Sequence, residues 1–213
     1  EPVEPYGGLV SLFGSLAPQG AILKRSAADS SLFERKGRAF VFHSLEDLSS
    51  RIDDPELEVE TDDFLILQNA GPRSGTGMPE SGYLPIPAKL SKTGVKDMVR
   101  ISDARMSGTA FGTIILHVTP EASVGGPLGL VRTGDIIELS VKNRRLDLNV
   151  QKNELKKRRE EMKYKPELKR KNTERGYAWL YQNHVLQADE GCDFEEISRN
   201  SINFQKFKKV QEI

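Results

Sequence analysis

The chain of 213 residues contains a single cysteine, Cys192, and a single tryptophan. One thiol excludes an internal disulfide, and it also excludes an iron–sulfur cluster or a cysteine-rich metal site built from this chain alone. No apolar run is longer than a strand and no signal peptide is recognisable, so the sequence predicts no membrane association. These absences favour a reducing compartment, which we expect to be the cytoplasm, or the mitochondrion in a eukaryote.

An excess of charge of one sign is lacking too, because 31 Lys and Arg balance 31 Asp and Glu. Without net charge, the chain has no field that would recruit nucleic acid or an anionic membrane. The charges are unevenly distributed: residues 44–63 are rich in Asp and Glu, while residues 152–175 have an excess of Lys and Arg. Glutamates are interspersed in the basic stretch, which predicts a solvated helical face. We therefore expect no nucleic-acid partner.

What the sequence does contain is a series of short β-rich runs separated by turns. Strands are predicted at Arg38–His43, Phe64–Leu67, Met98–Ile101, Thr113–Val118, Ile136–Val141 and Leu146–Val150. Helices are predicted over roughly 44–52, 88–93, 152–163 and 173–187. Many strands with few intervening helices predict a mixed α/β domain with a sheet or barrel core. We place this domain in residues 1–150, followed in residues 151–213 by a charged helical extension that packs on the barrel or on a partner.

Two glycine-rich loops each follow a predicted strand and carry polar side chains. One loop is Gly71–Glu80, and the other lies within Arg100–Gly112. We predict that they converge on one site, because ligands usually bind open sheets at such loops. Glu80 follows Pro79 and offers a hard oxygen ligand for Mg²⁺. The competing interpretation is a surface glutamate beside a turn. One carboxylate does not make a metal site, so further ligands must come from elsewhere.

Ser107 lies at the crown of the second loop, between Arg105 and the pair Gly108 and Thr109. A tight turn with successive backbone N–H groups forms an anion nest, and the arginine adds a forked donor for a carboxylate or phosphate. A serine hydroxyl acts as a base only where a neighbour stabilises its alkoxide. The first glycine of a Gly-x-Ser-x-Gly elbow is missing, which argues against a serine hydrolase. From the residues alone, an ordinary ligand-binding or structural loop explains the stretch as well.

The other candidate groups give weaker indications. The three histidines, His43, His117 and His184, are far apart and follow no metal-ligand spacing. The acidic stretch Asp189–Asp193 could face a cation, although a helix-terminating turn explains it equally well. Cys192 has no basic neighbour to lower the pKa of its thiol, so we do not predict a nucleophile there.

Several motifs, taken together and in this order, resemble one known family. They are Gly14-Ser-Leu-Ala-Pro-Gln-Gly-Ala21, Gly37-Arg-Ala-Phe-Val-Phe42, Gly77-Met-Pro-Glu80, Ser102-Asp-Ala-Arg-Met-Ser-Gly-Thr109, His117-Val-Thr-Pro-Glu-Ala122, Gly125-Gly-Pro127 and Gly134-Asp-Ile-Ile137. The chain resembles the C-terminal domain of the dihydroxy-acid and sugar-acid dehydratases (IlvD/Edd). The stretches Asp103–Gly112 and Asn183–Asp193 are similar to the branch that contains arabinonate and xylonate dehydratases.

This resemblance implies a swivelling β/β/α barrel and dehydration of a 2,3-dihydroxy acid to a 2-keto acid. It implies Ser107 as the base that removes the α-proton, Thr109 as a second catalytic residue beside the substrate, and Glu80 as a ligand of Mg²⁺. Arg105 is predicted to bind the substrate from its position beside Ser107. It further implies an iron–sulfur cluster, expected to be 2Fe–2S, held by an N-terminal domain of the same enzyme, which we expect to be a homo-oligomer. We expect this chain to be inactive alone.

Two alternatives stay open. The first is the dihydroxy-acid dehydratase of branched-chain amino-acid biosynthesis, which shares the fold and the reaction type. The second is a non-catalytic swivelling module that binds an anion or a partner.

Overall fold

The computed structural model describes residues 1, 6–74, 77–78, 84–163 and 175–195. Its strands are β1 (Val10–Leu12), β2 (Gly20–Leu23), β3 (Glu34–Phe42), β4 (Phe64–Leu67), β5 (Arg100–Ser102), β6 (Ile114–Thr119), β7 (Ile136–Ser140) and β8 (Arg145–Leu148). Its helices are α1 (Leu45–Arg51), α2 (Ala88–Lys92), α3 (Lys152–Lys163) and α4 (Tyr177–His184). The mixed α/β class predicted from the sequence is confirmed, and so are the β7–β8 hairpin and each predicted helix, within a few residues at the ends.

The eight strands form one sheet in the order β1-β2-β6-β5-β4-β3-β7-β8. The four central strands β3 to β6 run parallel, and the flanking pairs are antiparallel. The two ends of the sheet meet at a seam, where Phe13 N–H donates to the Arg144 carbonyl at 2.9 Å and Leu146 N–H donates to the Phe13 carbonyl at 2.9 Å. The sheet is therefore a nearly closed barrel.

Two hydrophobic clusters lie on opposite faces of this sheet, because side chains alternate along each strand. One cluster takes residues from all eight strands and fills the barrel, with Val41, Ile66 and Ile115 among its members. The other takes their sequence neighbours, such as Phe42 and Leu65, and packs them under α1 and α2. The central strands are thus buried on both faces, which explains why they are continuous apolar runs in the sequence.

The parallel strands place their carboxyl ends on a single edge of the barrel. Segments that leave this edge are residues 68–74 and 77–78 after β4, 103–113 after β5 and 120–126 after β6. The first two contain the described parts of the predicted site loops. A parallel sheet therefore brings together segments that are separated along the chain by whole strands.

The C-terminal helices are attached to the barrel by specific contacts. Arg158 of α3 is buried, and its guanidinium donates to both carboxylate oxygens of Asp135 and to the Leu130 carbonyl. Val185, which follows α4, is fully buried. No helix of the described residues is long and apolar enough to cross a membrane.

Candidate functional site

The crown of the loop after β5 presents two hydroxyl groups to solvent. The Ser107 Oγ lies 3.0 Å from the Thr109 Oγ1, at hydrogen-bond distance, and Thr109 is exposed while Ser107 is half-buried. A hydrogen bond from Ala110 N–H to the Ser107 carbonyl at 3.2 Å closes the turn at the crown. Lys24 donates from Nζ to the Gly108 carbonyl at 2.6 Å, which places a positive charge beside the turn. The pair is therefore accessible to a ligand and held in one geometry.

The approach to Ser107 is fixed by His117 of β6. Its Nε2 accepts a hydrogen bond from Met106 N–H at 3.0 Å, and its backbone N–H donates to the Ala104 carbonyl at 3.1 Å. Burial lowers the pKa of His117, and the nearby charge of Arg105 lowers it further. The ring is consequently neutral near pH 7 with its proton on Nδ1, since Nε2 acts as an acceptor. This histidine therefore has a structural role at the boundary of the barrel.

Asp103 joins the three segments at the carboxyl edge. The residue is 1% exposed, and its two carboxylate oxygens accept from Ala70 N–H at 2.9 Å and Ala122 N–H at 2.8 Å. Burial raises the pKa of this carboxyl to about 7, with a further contribution from the charge of Glu121. Asp103 therefore ties the loop after β4 to the segment after β6 from a position four residues before Ser107.

Glu121 fixes the loop after β4 in a similar way. The residue is 1% exposed, and its carboxylate accepts from Arg73 N–H at 2.9 Å and from Gln187 Nε2 at 2.9 Å. A side chain at Gly71 would not fit, because a Cβ there would lie 2.7 Å from the Cβ of Glu121 and closer still to its carboxylate. The glycine is required by this close approach.

The predicted site residues are thus distributed unequally. Ser107 and Thr109 lie together and line a cavity of about 430 Å³, along with Lys96, Arg100 and Phe111. Arg105 is exposed and is not among the residues that line this cavity. Glu80 lies outside the described residues, so its role as a magnesium ligand stays a prediction.

The buried acids Asp103 and Glu121 are site residues that the sequence analysis did not single out. Both lie within the motifs that carry the family resemblance. Neither their residue types nor their spacing indicated that their carboxylates bind backbone N–H groups of neighbouring segments.

The described residues do not by themselves fit a metal ion or an iron–sulfur cluster. No group of three or more His, Cys, Asp or Glu side chains in this part of the chain could hold a metal. The one thiol, Cys192, lies 3.6 Å from the sulfur of Met78. Burial raises the pKa of this thiol, and the charge of Glu121 raises it further, which disfavours the thiolate that a metal requires.

A comparison with protein families matches residues 1–192 to the dihydroxy-acid/6-phosphogluconate dehydratase C-terminal family. The chain belongs to this family. It is 54% identical to 6-deoxy-6-sulfo-D-gluconate dehydratase of Pseudomonas putida over 91% of its length, and 48% identical to L-arabinonate dehydratase of Rhizobium leguminosarum over 89%. It is 41% identical to the dihydroxy-acid dehydratase of Ignicoccus hospitalis over 91%. The resemblance stated from the motifs is confirmed.

This member of the dehydratase C-terminal family spans about a third of the length of the relatives it matches, 33%, 32% and 34% of the three named above. The two relatives named for sugar acids share more identity with it than the one named for dihydroxy acids. The matched region includes both site loops and ends at the residue Cys192.

Proposed function

We propose that the chain is the C-terminal domain of a hydro-lyase that dehydrates a 2,3-dihydroxy sugar acid to a 2-keto-3-deoxy acid, and that its barrel is a swivelling β/β/α domain. The observation that supports this most strongly is the Ser107–Thr109 hydroxyl pair. It is accessible, it borders a cavity, and it stands on a loop whose base is fixed by buried groups. Such a hydroxyl fits the removal of a proton from a substrate outside the barrel.

In this proposal the deprotonated Ser107 Oγ takes the α-proton as the hydroxyl at C3 departs. The departing hydroxide takes up that proton and leaves as water, and the remaining enol tautomerises to the 2-keto-3-deoxy acid. An unassisted serine hydroxyl is a poor base, so its deprotonated form needs stabilisation. Thr109 provides part of it, because its hydroxyl is positioned to donate to the Ser107 Oγ over 3.0 Å. The positive charge of Lys24 beside the Gly108 carbonyl favours the same anionic oxygen electrostatically. Lys96, an exposed cation that lines the cavity, favours an anionic substrate.

The cofactors of the proposal are Mg²⁺ and an iron–sulfur cluster. Glu80 is the ligand that this chain would supply to the magnesium ion, and Arg105 would contact the substrate from the loop of Ser107. The cluster would belong to an N-terminal domain of the same enzyme, since this chain has one cysteine. The isolated chain should therefore show no turnover, and the complete enzyme, expected in the cytoplasm as a homo-oligomer, should show it.

The proposal is tested by Ser107→Ala in the complete enzyme. Turnover should fall by about 10³-fold, because a positioned general base contributes on the order of 10²–10⁴ in rate. A matched control is Ser123→Ala, since Ser123 lies after β6 at the same edge and its hydroxyl makes no hydrogen bond with described residues. The control should retain normal turnover. Near-normal turnover in Ser107→Ala would remove this serine from the mechanism.

A second candidate within the same reaction type is the dihydroxy-acid dehydratase of branched-chain amino-acid biosynthesis. The 41% identity to the Ignicoccus hospitalis enzyme favours it. A substrate panel that compares pentonates with dihydroxyisovalerate separates the two, because the favoured substrate should have the higher kcat/KM.

A non-catalytic module is the remaining alternative. Its supporting observation is a second cavity of about 430 Å³ at the carboxyl edge, lined by His43, Arg159 and the ion-paired Arg132 and Arg158. A complete polypeptide without cysteines to bind a cluster would favour this alternative.

A further inference from the structure

We infer that Glu121 and Gln187 are a positioning pair, through which the C-terminal segment fixes the loop that leads to Glu80. This inference rests on the proposed function, because the loop matters for turnover only if it belongs to the active site. Segment Val185–Cys192, here called the clamp segment, lies in the region that was predicted as a helical extension. Its contacts assign it to the site.

The pair is joined by reciprocal hydrogen bonds. Gln187 Nε2 donates to the Glu121 carboxylate at 2.9 Å, and the Glu121 backbone N–H donates back to the Gln187 Oε1 at 3.0 Å. The same carboxylate accepts from Arg73 N–H through both oxygens, at 2.9 and 3.1 Å. One buried carboxylate thus connects the clamp segment, the end of β6 and the loop after β4.

Two further contacts join the clamp segment directly to that loop. Arg73 Nε donates to the Val185 carbonyl at 2.6 Å, and the sulfur atoms of Cys192 and Met78 are 3.6 Å apart. The clamp segment is itself ordered by a backbone bridge between Val185 and Phe194. The loop is therefore held at both ends of its described part, at Arg73 and at Met78, two residues before Glu80.

The loop after β5 is held by a separate set of hydrogen bonds, one of which joins Asp103 to Ala122 N–H, next to Glu121. Its anchors are Asp103, His117 and Lys24, whose hydrogen bonds within the described residues go to partners outside the clamp segment. A change in the positioning pair should therefore displace the loop that leads to Glu80 and leave the Ser107–Thr109 hydroxyl pair in place. Misplacement of a reacting group by about 1 Å can lower turnover by about 10²-fold, so the effect is measurable.

A residue exchange between the two positions tests the pair. Glu121→Gln removes one acceptor oxygen and loses one hydrogen bond, while Gln187→Glu places a second carboxylate against a buried one. The double variant with both changes restores the reciprocal pair: the new amide at 121 donates to the new carboxylate at 187, and the backbone N–H of residue 121 donates to that carboxylate as before. Arg73 N–H keeps one of its two acceptor oxygens. A double-mutant cycle isolates this coupling.

Two measurements are made on each variant: hydrogen exchange of the Arg73 amide in the chain, and turnover in the complete enzyme. Each single change should accelerate exchange at Arg73 by about tenfold and lower turnover by about tenfold or more, with Gln187→Glu the stronger. The double variant should recover both quantities to within about threefold. Recovery would not be expected if the single changes acted only by general destabilisation. If a single variant fails to fold, the double variant still tests the pair.

Asp63→Asn is the matched control, because Asp63 is another buried carboxylate that accepts from a backbone N–H, that of Glu60, and from a side chain, that of Arg38. It should lower stability but leave exchange at Arg73 and turnover unchanged. The inference is overturned if the single variants exchange normally at Arg73, if they exchange faster but turn over normally, or if Asp63→Asn loses as much turnover. Ser107→Ala tests the proposed function separately, since it should lower turnover by about 10³-fold without altering exchange at Arg73.

Discussion

The two loops that leave the carboxyl edge side by side are held in different ways. The loop after β4 is anchored from outside, by Glu121 and by the clamp segment, and its Gly71 has no room for a side chain. The loop after β5 is anchored at its base by Asp103 and His117, while its crown is open: a Cβ added at Gly108 would meet no described atom within 4 Å. The Ser107 and Thr109 hydroxyls, which are proposed to contact a substrate, thus lie on an open crown. The buried groups that anchor the loop, Asp103 and His117, lie at its base.

The largest expected effect comes from the residue that the two loops share. Asp103→Ala leaves the buried N–H groups of Ala70 and Ala122 without their acceptor. Each unsatisfied buried donor costs on the order of 1–3 kcal/mol, so the free energy of unfolding should fall by about 4 kcal/mol. Denaturant unfolding of the chain measures this value, and a loss below about 1 kcal/mol would show that Asp103 does not join the loops.

A glycine-to-alanine pair compares the loops directly. Gly71→Ala should lower the free energy of unfolding by about 2 kcal/mol, because the new methyl group displaces Glu121. Gly108→Ala should change it by less than about 0.5 kcal/mol, since the position is open and its φ is not in the left-handed region. Thermal unfolding of both variants gives the comparison. Equal effects at the two positions would contradict the difference described above.

The pH dependence of stability sharpens the role of Asp103. Its pKa is raised from the ordinary 3.8 to about 7 in the folded state, so the folded protein retains a proton that the unfolded chain has released between these values. The stability from this group is complete below the unfolded pKa and is lost as pH rises through the folded one. Relative to Asp103→Asn, the wild-type free energy of unfolding should fall by about 2 kcal/mol from pH 5 to pH 7. Parallel pH profiles of the two proteins would contradict the assignment.

The smallest effect is expected at the crown itself. Lys24→Met removes the hydrogen bond from Nζ to the Gly108 carbonyl, which is exposed to solvent. Exposed charge contacts contribute little, so unfolding should change by about 0.5 kcal/mol or less, while turnover of the complete enzyme should fall a few fold through lost electrostatic support of Ser107. Lys36→Met is a control for an exposed lysine far from the loops, in a surface ion pair with Glu138. A similar loss of turnover in both variants would remove Lys24 from the site.

Much of the barrel could be predicted from the sequence because its signals are local. The apolar runs of β4 and β6 are continuous since both faces of these strands are buried, and the predicted helix at 44–52 begins at Ser44, whose Oγ accepts from Asp47 N–H. The Ser107–Thr109 contact joins residues two apart, so the loop motif already contained it.

The groups that hold the site could not be found in this way, because their partners are distant in the chain. Glu121 and Gln187 are 66 residues apart, and Asp103 and Ala70 are 33 apart. A buried carboxylate looks like any surface acid until the fold shows which N–H groups surround it. Gly71 was recognised as part of a turn, yet the structure shows that it is required by the nearness of Glu121.

The seam at Phe13 also bears on how the molecule assembles. Its partners Arg144 and Leu146 are made more than 130 residues later, so the ring cannot shut until the last hairpin has left the ribosome. Contacts between such remote parts of a chain slow folding, since a large loop must close before they form. Until then the apolar lining of the barrel is open on one side, and a chain halted before β8 should be captured by chaperones or aggregate.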